Sequence, residues 1–400
     1  MKFRDDVIRP LRWPIAPMSV AVLTFVVMVT QVERSHACPF CLGSQPLTLR
    51  ERMDTPDASL LVEWKAGVVG NVEQEESASS TFRVLQVLRG DFQQGELFSI
   101  SRYQDGKPGE RFLISGNALN DLIQWDRAIP LSETGWKYVN SLPAADASSA
   151  DRLSHALAHL ESPDDMVATD AFSVIASSKY EELHAMQGDL PHEKLRKWVF
   201  GGKPIKGQLG VYGMLLGICG DDTDRQRLED LALATTGELR LGIEGIMGGY
   251  LLLAGESGLD VFDNAFLMEE TCSRTDRYAV MQALDFIWQY GDGCITKERL
   301  RESARGQLKI TDMPERLIGD LARWEDWSVT DDLLARFENP PDKLTDRAIV
   351  SFMIVASRVD EDSVDEDDAS SIAHAREFVE RLQQEQPAVY QRAARFLIAR

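Results

Sequence analysis

Three apolar segments in the second half of the chain end in the same way, and this recurrence limits the folds that the chain can adopt. The segments occupy residues 213–222, 249–257 and 283–292. In each, an apolar helical run ends at a glycine, and a turn and a second amphipathic segment follow. The three glycines, Gly220, Gly255 and Gly291, lie 35 and 36 residues apart. Glycine at this position is typical of a left-handed helix C-cap.

This spacing predicts a series of helix pairs. A single pair cannot bury its own apolar faces, so neighbouring pairs must stack around one continuous core. The segment Asp320–Trp327 continues the spacing without the glycine. Capping residues predict helix starts at Ser162 and at Thr223. The sequence therefore predicts an all-α, HEAT-like helical-repeat domain over residues 151–400.

The segment before the helices alternates β-branched and aromatic residues with polar ones, which predicts about five antiparallel strands. The predicted strands are 59–69, 81–88, 96–102, 110–115 and 121–128. Thr48 and Glu51 are spaced as a capping box at the start of a short helix, and a helix over 133–142 closes the domain. Short strands joined by glycine-rich turns suit a small barrel.

The predicted fold class is therefore α+β, with two domains. A small OB-like antiparallel β-barrel occupies residues 38–143, a small polar linker follows at 144–150, and the helical domain begins at 151. Residues 1–37 precede both of these domains and belong to neither.

The first 37 residues predict an export signal. Basic residues precede an apolar stretch over 15–29, and Ser35-His36-Ala37 places small residues where signal peptidase requires them. Cleavage is expected between Ala37 and Cys38, which places the protein in the periplasm or cell envelope. The alternative is an uncleaved N-terminal anchor, although the apolar run is shorter than the roughly 20 residues of a spanning helix.

Cys38 and Cys41 form the only closely spaced pair among the five cysteines. A redox C-x-x-C motif needs a preceding strand and a helix N-terminus, and a chain that begins at Cys38 has no room for that strand. Haem attachment needs a histidine after the second cysteine, where Leu42 stands. We therefore expect a local disulfide, or two bridges that tie the N-terminus to the following domain. A thiol–disulfide activity remains the alternative.

Charge and motifs exclude several classes of function. The net charge of −21 makes nucleic acid and anionic lipid poor partners. No phosphate-binding loop, nucleophile elbow or dinucleotide fingerprint is present in the sequence. The sequence therefore predicts no catalytic residue, no cofactor and no metal, and contact with a membrane only if the N-terminal segment is uncleaved.

Two groups of side chains are candidates for binding sites. His155 and His159 have the spacing of two metal ligands on a helix, but no glutamate stands between them, so surface histidines are expected. Aromatic residues lie near the ends of the helical segments and are expected to pack between helices, although exposed rings on a concave face would bind a ligand. These residues are Trp288, Tyr290, Trp324 and Trp327.

Residues 38–43, 110–143 and 164–336 resemble an exported bacterial family of unassigned function. The resemblance includes Gly-Tyr-Leu-Leu-Leu at 249–253 and Asp-Leu-Ala-Arg-Trp-x-Asp-Trp at 320–327. It implies no catalytic residue, because none is established for that family.

The first domain also resembles the netrin/TIMP-like OB-fold module. In that family the mature chain starts at a cysteine, and strands like 60–69 and 82–88 follow, the second ending in a basic residue and a glycine. Here C-x-x-C replaces the family's C-x-C. The resemblance implies an OB-like fold and, as an alternative function, inhibition of a protease through Cys38. The favoured hypothesis is an exported, non-enzymatic scaffold or binding protein that acts on an unknown protein partner.

Overall fold

The computed structural model describes residue 40 and residues 47–70, 77–120, 122–201, 208–234, 240–269, 272–308, 315–337, 343–360 and 363–397. The predicted cleavage site at Ala37 and the pair Cys38 and Cys41 lie outside these residues.

The first described element is a short helix, α1 (Leu49–Asp54). The hydroxyl of Thr48 accepts a hydrogen bond from the backbone N–H of Glu51, and the Glu51 carboxylate accepts one from the backbone N–H of Thr48. This arrangement confirms the predicted capping box. The helix buries Leu49 and Met53 against the strands that follow.

Six strands form one antiparallel sheet after α1. They are β1 (Ala58–Val68), β2 (Ser79–Arg89), β3 (Leu97–Ile100), β4 (Arg111–Leu119), β5 (Leu122–Trp125) and β6 (Ile129–Leu131). The order is β3-β2-β1-β4-β5, and β6 pairs with the first residues of β4. The strand predicted over 121–128 is present but shorter, since β5 ends at Trp125, and β6 was not predicted. The chain leaves the ladder at Asp126, whose N–H donates to the carbonyl of Ser115, and rejoins β4 further along.

Both faces of the sheet are buried. Successive side chains of a strand point to opposite faces, so neighbouring residues enter different cores. Leu60 of β1 lies in a core that includes the rings of Phe82 and Phe112. Leu61 points the other way, into a second core formed with α1 and the helix α2 (Glu133–Ser141). One face of the sheet thus covers an aromatic core, and the other face packs against α1 and α2.

The sheet curls until its two outer strands meet through side chains. Phe98 of β3 and Trp125 of β5 pack with ring centroids 5.0 Å apart. The guanidinium of Arg102 donates to the carbonyl of Trp125 across the same seam, at 3.2 Å. The described parts of β3 and β5 share no backbone hydrogen bond. The sheet is therefore a half-barrel that stays open along this seam.

The rest of the described chain is helical, which confirms the α+β layout of a β part followed by a helical part. The helices are α3 (Ser149–His159), α4 (Asp165–Ser177), α5 (Tyr180–Ala185), α6 (His192–Phe200), α7 (Leu209–Cys219), α8 (Asp222–Leu233), α9 (Ile243–Ala254), α10 (Glu256–Phe262), α11 (Arg274–Tyr290), α12 (Lys297–Gln307), α13 (Glu315–Arg323), α14 (Thr330–Phe337), α15 (Lys343–Ala356), α16 (Glu366–Glu385) and α17 (Pro387–Leu397). A π-helical turn, Asp263–Leu267, extends α10.

Aspartates cap two of these helices where hydroxyl residues were predicted. Asp164, and not Ser162, accepts hydrogen bonds from two backbone N–H groups in the first turn of α4. Asp221, and not Thr223, does the same for α8. A carboxylate satisfies two N–H groups at once and lies at the positive end of the helix dipole, which explains the shift in both helix starts.

From α7 onward, alternate helices pack against one another and form a row. The row consists of α7, α9, α11, α13, α15 and α17. The intervening helices lie beside this row. One apolar core runs through the helical part, from Leu153 of α3 to Ala393 of α17.

The contact between α7 and α9 brings two backbones together. Gly213 of α7 faces Gly249 of α9, and a Cβ on Gly249 would lie 2.1 Å from the carbonyl oxygen of Gly213. Both helices carry the pattern Leu-Gly-x-x-Gly-x-x-x-Gly, beginning at Leu209 and Leu241. Glycines at this spacing remove the side chains that would hold the helices apart.

The glycines that defined the predicted repeat do end α7, α9 and α11. Of these three glycines, only Gly255 has a positive φ, of 58°, and its ψ of −143° lies outside the left-handed helical region. The left-handed helix C-cap is therefore wrong for all three, since the φ angles of Gly220 and Gly291 are −75° and −71°. Space requires glycine at 220 instead, because a Cβ there would lie 2.5 Å from the carbonyl oxygen of Leu216.

The sheet and the helices belong to one compact unit. Val167 of α4 lies in the same core as Leu61 and Leu113 of the sheet. Among the described helices, none combines the length and the apolar character that crossing a membrane requires.

Candidate functional site

Phe40, which stands between Cys38 and Cys41 in the sequence, is buried in the helical core with 3% of its surface exposed. Its ring centroid lies 4.7 Å from that of Phe286 on α11. Gly248 of α9 makes room for it, because a Cβ there would lie 2.7 Å from the tip of the Phe40 ring. Phe40 is thus a part of the helical core. The disulfide, redox and cleavage predictions for Ala37, Cys38 and Cys41 lie outside the described residues.

The described cysteines, Cys219, Cys272 and Cys294, are free and half-buried. Burial raises the pKa of the Cys219 thiol to about 11, and it raises the pKa of Cys272 and Cys294 as well. Thiols held in the protonated form are poor nucleophiles. These side chains therefore act as parts of the core.

A polar cluster links α6 to the start of α8. Buried Asp224 accepts hydrogen bonds from Nε2 of His192 at 2.6 Å and from Nε of Arg196 at 2.7 Å. Arg196 also donates to Asp221 at 2.7 Å. Burial alone would raise the pKa of Asp224, but the hydrogen bonds from Arg196 and His192 lower it to about 2.

The same cluster has the spacing of a metal site. Ligand atoms of His192, Asp221 and Asp224 lie within 4.8 Å of one another. However, the guanidinium of Arg196 already pairs with both carboxylates. The arrangement is an ion-pair clamp between helices.

A second ion-pair network joins α11 to α13. Arg316 and Arg323 each pair with Asp285 and with Asp320. Burial raises the pKa of Asp320 to about 6, although both arginines oppose this shift. The two arginines balance the two carboxylates, which leaves this network with a structural role.

His155 and His159 were predicted to be surface residues, but both are half-buried. Their rings lie 4.4 Å apart and both pack on Tyr138. Burial and the neighbouring histidine lower the pKa of His155. Within the described ranges no third ligand joins them. The pair therefore helps to pack α3 against α2.

The predicted packing role of the tryptophans is confirmed for Trp324 and Trp327, which are 1% and 3% exposed. Trp288 stacks on Trp324 with ring centroids 4.8 Å apart. Tyr290 differs, because it lines a cleft.

A cleft of about 510 Å³, the junction cleft, lies where the sheet meets the helices. Its walls are mainly apolar and come from α1, the segment around β6 and α4. The apolar side chains are Leu47, Leu49, Ala128, Ile129, Pro130 and Met166. Leu47 remains 58% exposed at its edge.

Asp170 fixes the shape of the junction cleft. Its buried carboxylate accepts hydrogen bonds from the backbone N–H of Leu49 at 2.5 Å and from the hydroxyl of Tyr138 at 2.8 Å. Burial raises the pKa of Asp170, and the two hydrogen bonds limit that rise. One carboxylate thus holds α1 and α2 to α4, so the cleft is formed before anything binds. Both oxygens are engaged, which favours a structural role over acid–base chemistry.

Charged groups of both signs surround the junction cleft. Arg52 and Arg127 line it, and neither pairs with a carboxylate among the described residues. Asp165 lies at the same cleft, exposed in the first turn of α4. Apolar walls with a mixed polar rim are typical of a protein-binding surface.

A smaller cleft of about 320 Å³, the tyrosine cleft, lies between α5 and the end of α11. Its lining includes Tyr180, Glu181, His184, Tyr290 and Asp292. The rings of Tyr180 and Tyr290 lie 5.0 Å apart. Tyr180 also packs edge-on against Phe286, the residue that holds Phe40.

The sequence reasoning identified Tyr290 but missed Asp170 and Tyr180. Each cleft is assembled from segments that are far apart in the chain, and neither carries a recognisable motif. An acidic residue within the apolar face of α4 was the one signal that pointed to Asp170.

No known family model, curated protein or solved structure matches the chain.

Proposed function

We propose that this chain is an exported, non-enzymatic binding protein that holds a segment of a partner protein in the junction cleft. The observation that carries the proposal is the cleft itself, whose shape Asp170 fixes and whose edge leaves Leu47 58% exposed. A preformed cleft with apolar walls and a few polar groups is the usual form of a binding site, and Leu47 extends its apolar surface towards solvent. The ion-pair networks around Asp224 and Asp320 are occupied in holding helices together, which favours binding over catalysis.

The proposal includes a finer description of the fold. The order β3-β2-β1-β4-β5, with Phe98 of β3 against Trp125 of β5, supports an OB-like barrel that is open between its outer strands. The row of alternate helices supports a HEAT-like array. Arrays of this kind carry long surfaces suited to protein partners. Membership of the exported bacterial family named above is part of the same proposal.

Export is proposed from residues 1–37, with cleavage before Cys38 and a location in the periplasm or cell envelope. N-terminal sequencing of the exported protein tests this step, and a chain that begins at Met1 would favour the anchor instead. The redox and inhibitor alternatives depend on Cys38 and Cys41 and stay predictions. Rapid alkylation of Cys38 at neutral pH would favour the redox alternative.

Site-specific photocrosslinking tests the binding function. A photoreactive phenylalanine analogue replaces Leu47 in one protein and Val69 in another, because Val69 is similarly exposed, at 64%, and lies away from the lining of the cleft. We expect a discrete protein adduct in producing cells at position 47 and none at position 69. Equal adducts at both positions, or none at 47, would contradict the proposal.

A second pair of variants tests whether the junction cleft is needed for the adduct at position 47. Thr169→Trp places a bulky ring in the junction cleft from an exposed position on α4. Thr223→Trp makes the same change at an exposed position on α8. We expect the first substitution to abolish the adduct at position 47 and the second to leave it unchanged.

A further inference from the structure

We propose that the tyrosine cleft binds a cationic side chain, an arginine or lysine in a basic segment of the partner protein. The inference rests on the binding function proposed above, but it does not depend on the junction cleft.

Two carboxylates in the tyrosine cleft have no counter-charge. Glu181 and Asp292 both line it and both are exposed. Neither takes part in an ion pair or a hydrogen bond with another described residue, whereas the buried acids Asp224 and Asp320 are fully paired. Glu181 follows Tyr180 in the chain, and Asp292 lines the same cleft. Burial raises the pKa of the Tyr180 hydroxyl, and the charges of Cys294, Glu181 and Asp292 raise it further. The cleft therefore offers two negative charges around one aromatic ring.

The hydroxyl of Tyr180 is the second observation. Tyr180 is 6% exposed, and its ring lines the tyrosine cleft. The other buried tyrosines in the described ranges donate to a side chain: Tyr138 to Asp170, Tyr212 to Gln208 and Tyr250 to Glu229. The Tyr180 hydroxyl has no such partner among the described residues. The Tyr180 ring is buried, but its hydroxyl oxygen is not among the side-chain atoms shut off from solvent, so it can reach a ligand in the cleft.

The walls of the tyrosine cleft favour an organic cation over a metal ion. Tyr180 packs against Tyr290 at 5.0 Å and against His184 at 5.8 Å, which lines the cleft with aromatic faces. Of the described groups, only His192, Asp221 and Asp224 bring their ligand atoms close enough for one metal ion, and the acids of this cleft do not. A guanidinium or ammonium group spans a wider site and is attracted to aromatic faces as well as to carboxylates.

Fluorescence anisotropy with the full mature protein tests the inference. The probe is a labelled Gly/Ser peptide that carries several arginines, and its control is the same peptide with neutral citrulline at those positions. We expect the arginine peptide to bind, and Glu181→Gln combined with Asp292→Asn to raise its Kd by about tenfold. Tyr180→Phe keeps the ring and removes the hydroxyl, so we expect a smaller rise of about threefold.

The matched control removes the same charge elsewhere. Asp91→Asn combined with Glu380→Gln neutralises two exposed acids outside the tyrosine cleft, and we expect a change in Kd of less than about twofold. Equal losses from both double variants would show general attraction to an acidic protein and overturn the inference. Tight binding of the citrulline peptide, or of free spermidine in place of the peptide, would also overturn it. Failure here would leave the adduct at position 47 intact, so the two proposals fail separately.

Discussion

Gly249 of α9 lies against Gly213 of α7 with backbone touching backbone, and a methyl group on Gly249 would lie 2.1 Å from the Gly213 carbonyl oxygen. We expect Gly249→Ala to lower the free energy of unfolding by about 2–3 kcal/mol, because the helices must move apart to admit the methyl group. Urea denaturation followed by circular dichroism measures the change.

Gly319 of α13 supplies the control for this substitution. No atom lies within 4 Å of a Cβ built there. Gly319→Ala should raise the free energy of unfolding by about 0.5–1 kcal/mol, since alanine favours a helix more than glycine does. If the two variants were equally stable, the close contact between α7 and α9 would be refuted.

Phe40 gives a prediction about the N-terminal motif. Phe40→Ala removes a ring that is 3% exposed and packs on Phe286, so we expect a loss of about 3 kcal/mol in the free energy of unfolding. Phe40→Leu should lose less, because it keeps part of the volume. Leu122→Ala, at a side chain that is 75% exposed, should change little. An equal effect of the first and last substitutions would show that Phe40 does not pack against the helices as described.

The clamp around Asp224 predicts a pH dependence of stability. Its pKa is about 2 in the folded chain and near 4 when unfolded, so its contribution of about 2 kcal/mol is present above pH 4 and is lost as the pH falls from 4 to 2. Asp224→Asn should lower the free energy of unfolding by about that amount at pH 7 and should reduce the slope between pH 4 and 2. Asp222→Asn, at a fully exposed neighbour, should do neither.

Tyr138 connects stability to the junction cleft. Tyr138→Phe removes the hydroxyl that donates to Asp170, so we expect a loss of about 1–2 kcal/mol in the free energy of unfolding and a further rise in the pKa of Asp170. The photocrosslinked adduct at position 47 should fall with it. Tyr212→Phe removes a similar bond to Gln208 outside the cleft and should leave the adduct unchanged. Equal adduct yields in both variants would show that the hydrogen bond between Tyr138 and Asp170 is not needed for partner binding.

Local patterns in the sequence predicted local structure well. The capping box at Thr48 and Glu51 is present as expected, since two side chains three residues apart determine it. The glycines at 220, 255 and 291 end their helices. Their conformation was not predictable, because a glycine can be required by space as well as by a positive φ.

Contacts between distant segments were beyond the sequence reasoning. The 35-residue spacing of the terminal glycines predicts helix pairs but not which backbones touch, whereas the pattern that begins at Leu209 and at Leu241 marks the close approach of α7 and α9. Phe40 is a single ring between two cysteines, and no periodicity places it against Phe286. The tyrosine cleft joins residues more than one hundred positions apart, such as Tyr180 and Tyr290, and only the folded chain brings them together.

The row of alternate helices makes the effect of damage depend on its position. Loss of α17 would uncover mainly parts of α15 and α16, because among the described elements it packs most closely against those two. Loss of α9 would remove the partner of both α7 and α11 and would leave Phe40 without its seat at Gly248. Truncation near the C-terminus, by a frameshift or by proteolysis, should therefore be tolerated. Loss of a helix in the middle of the row would instead separate the helices on either side of it.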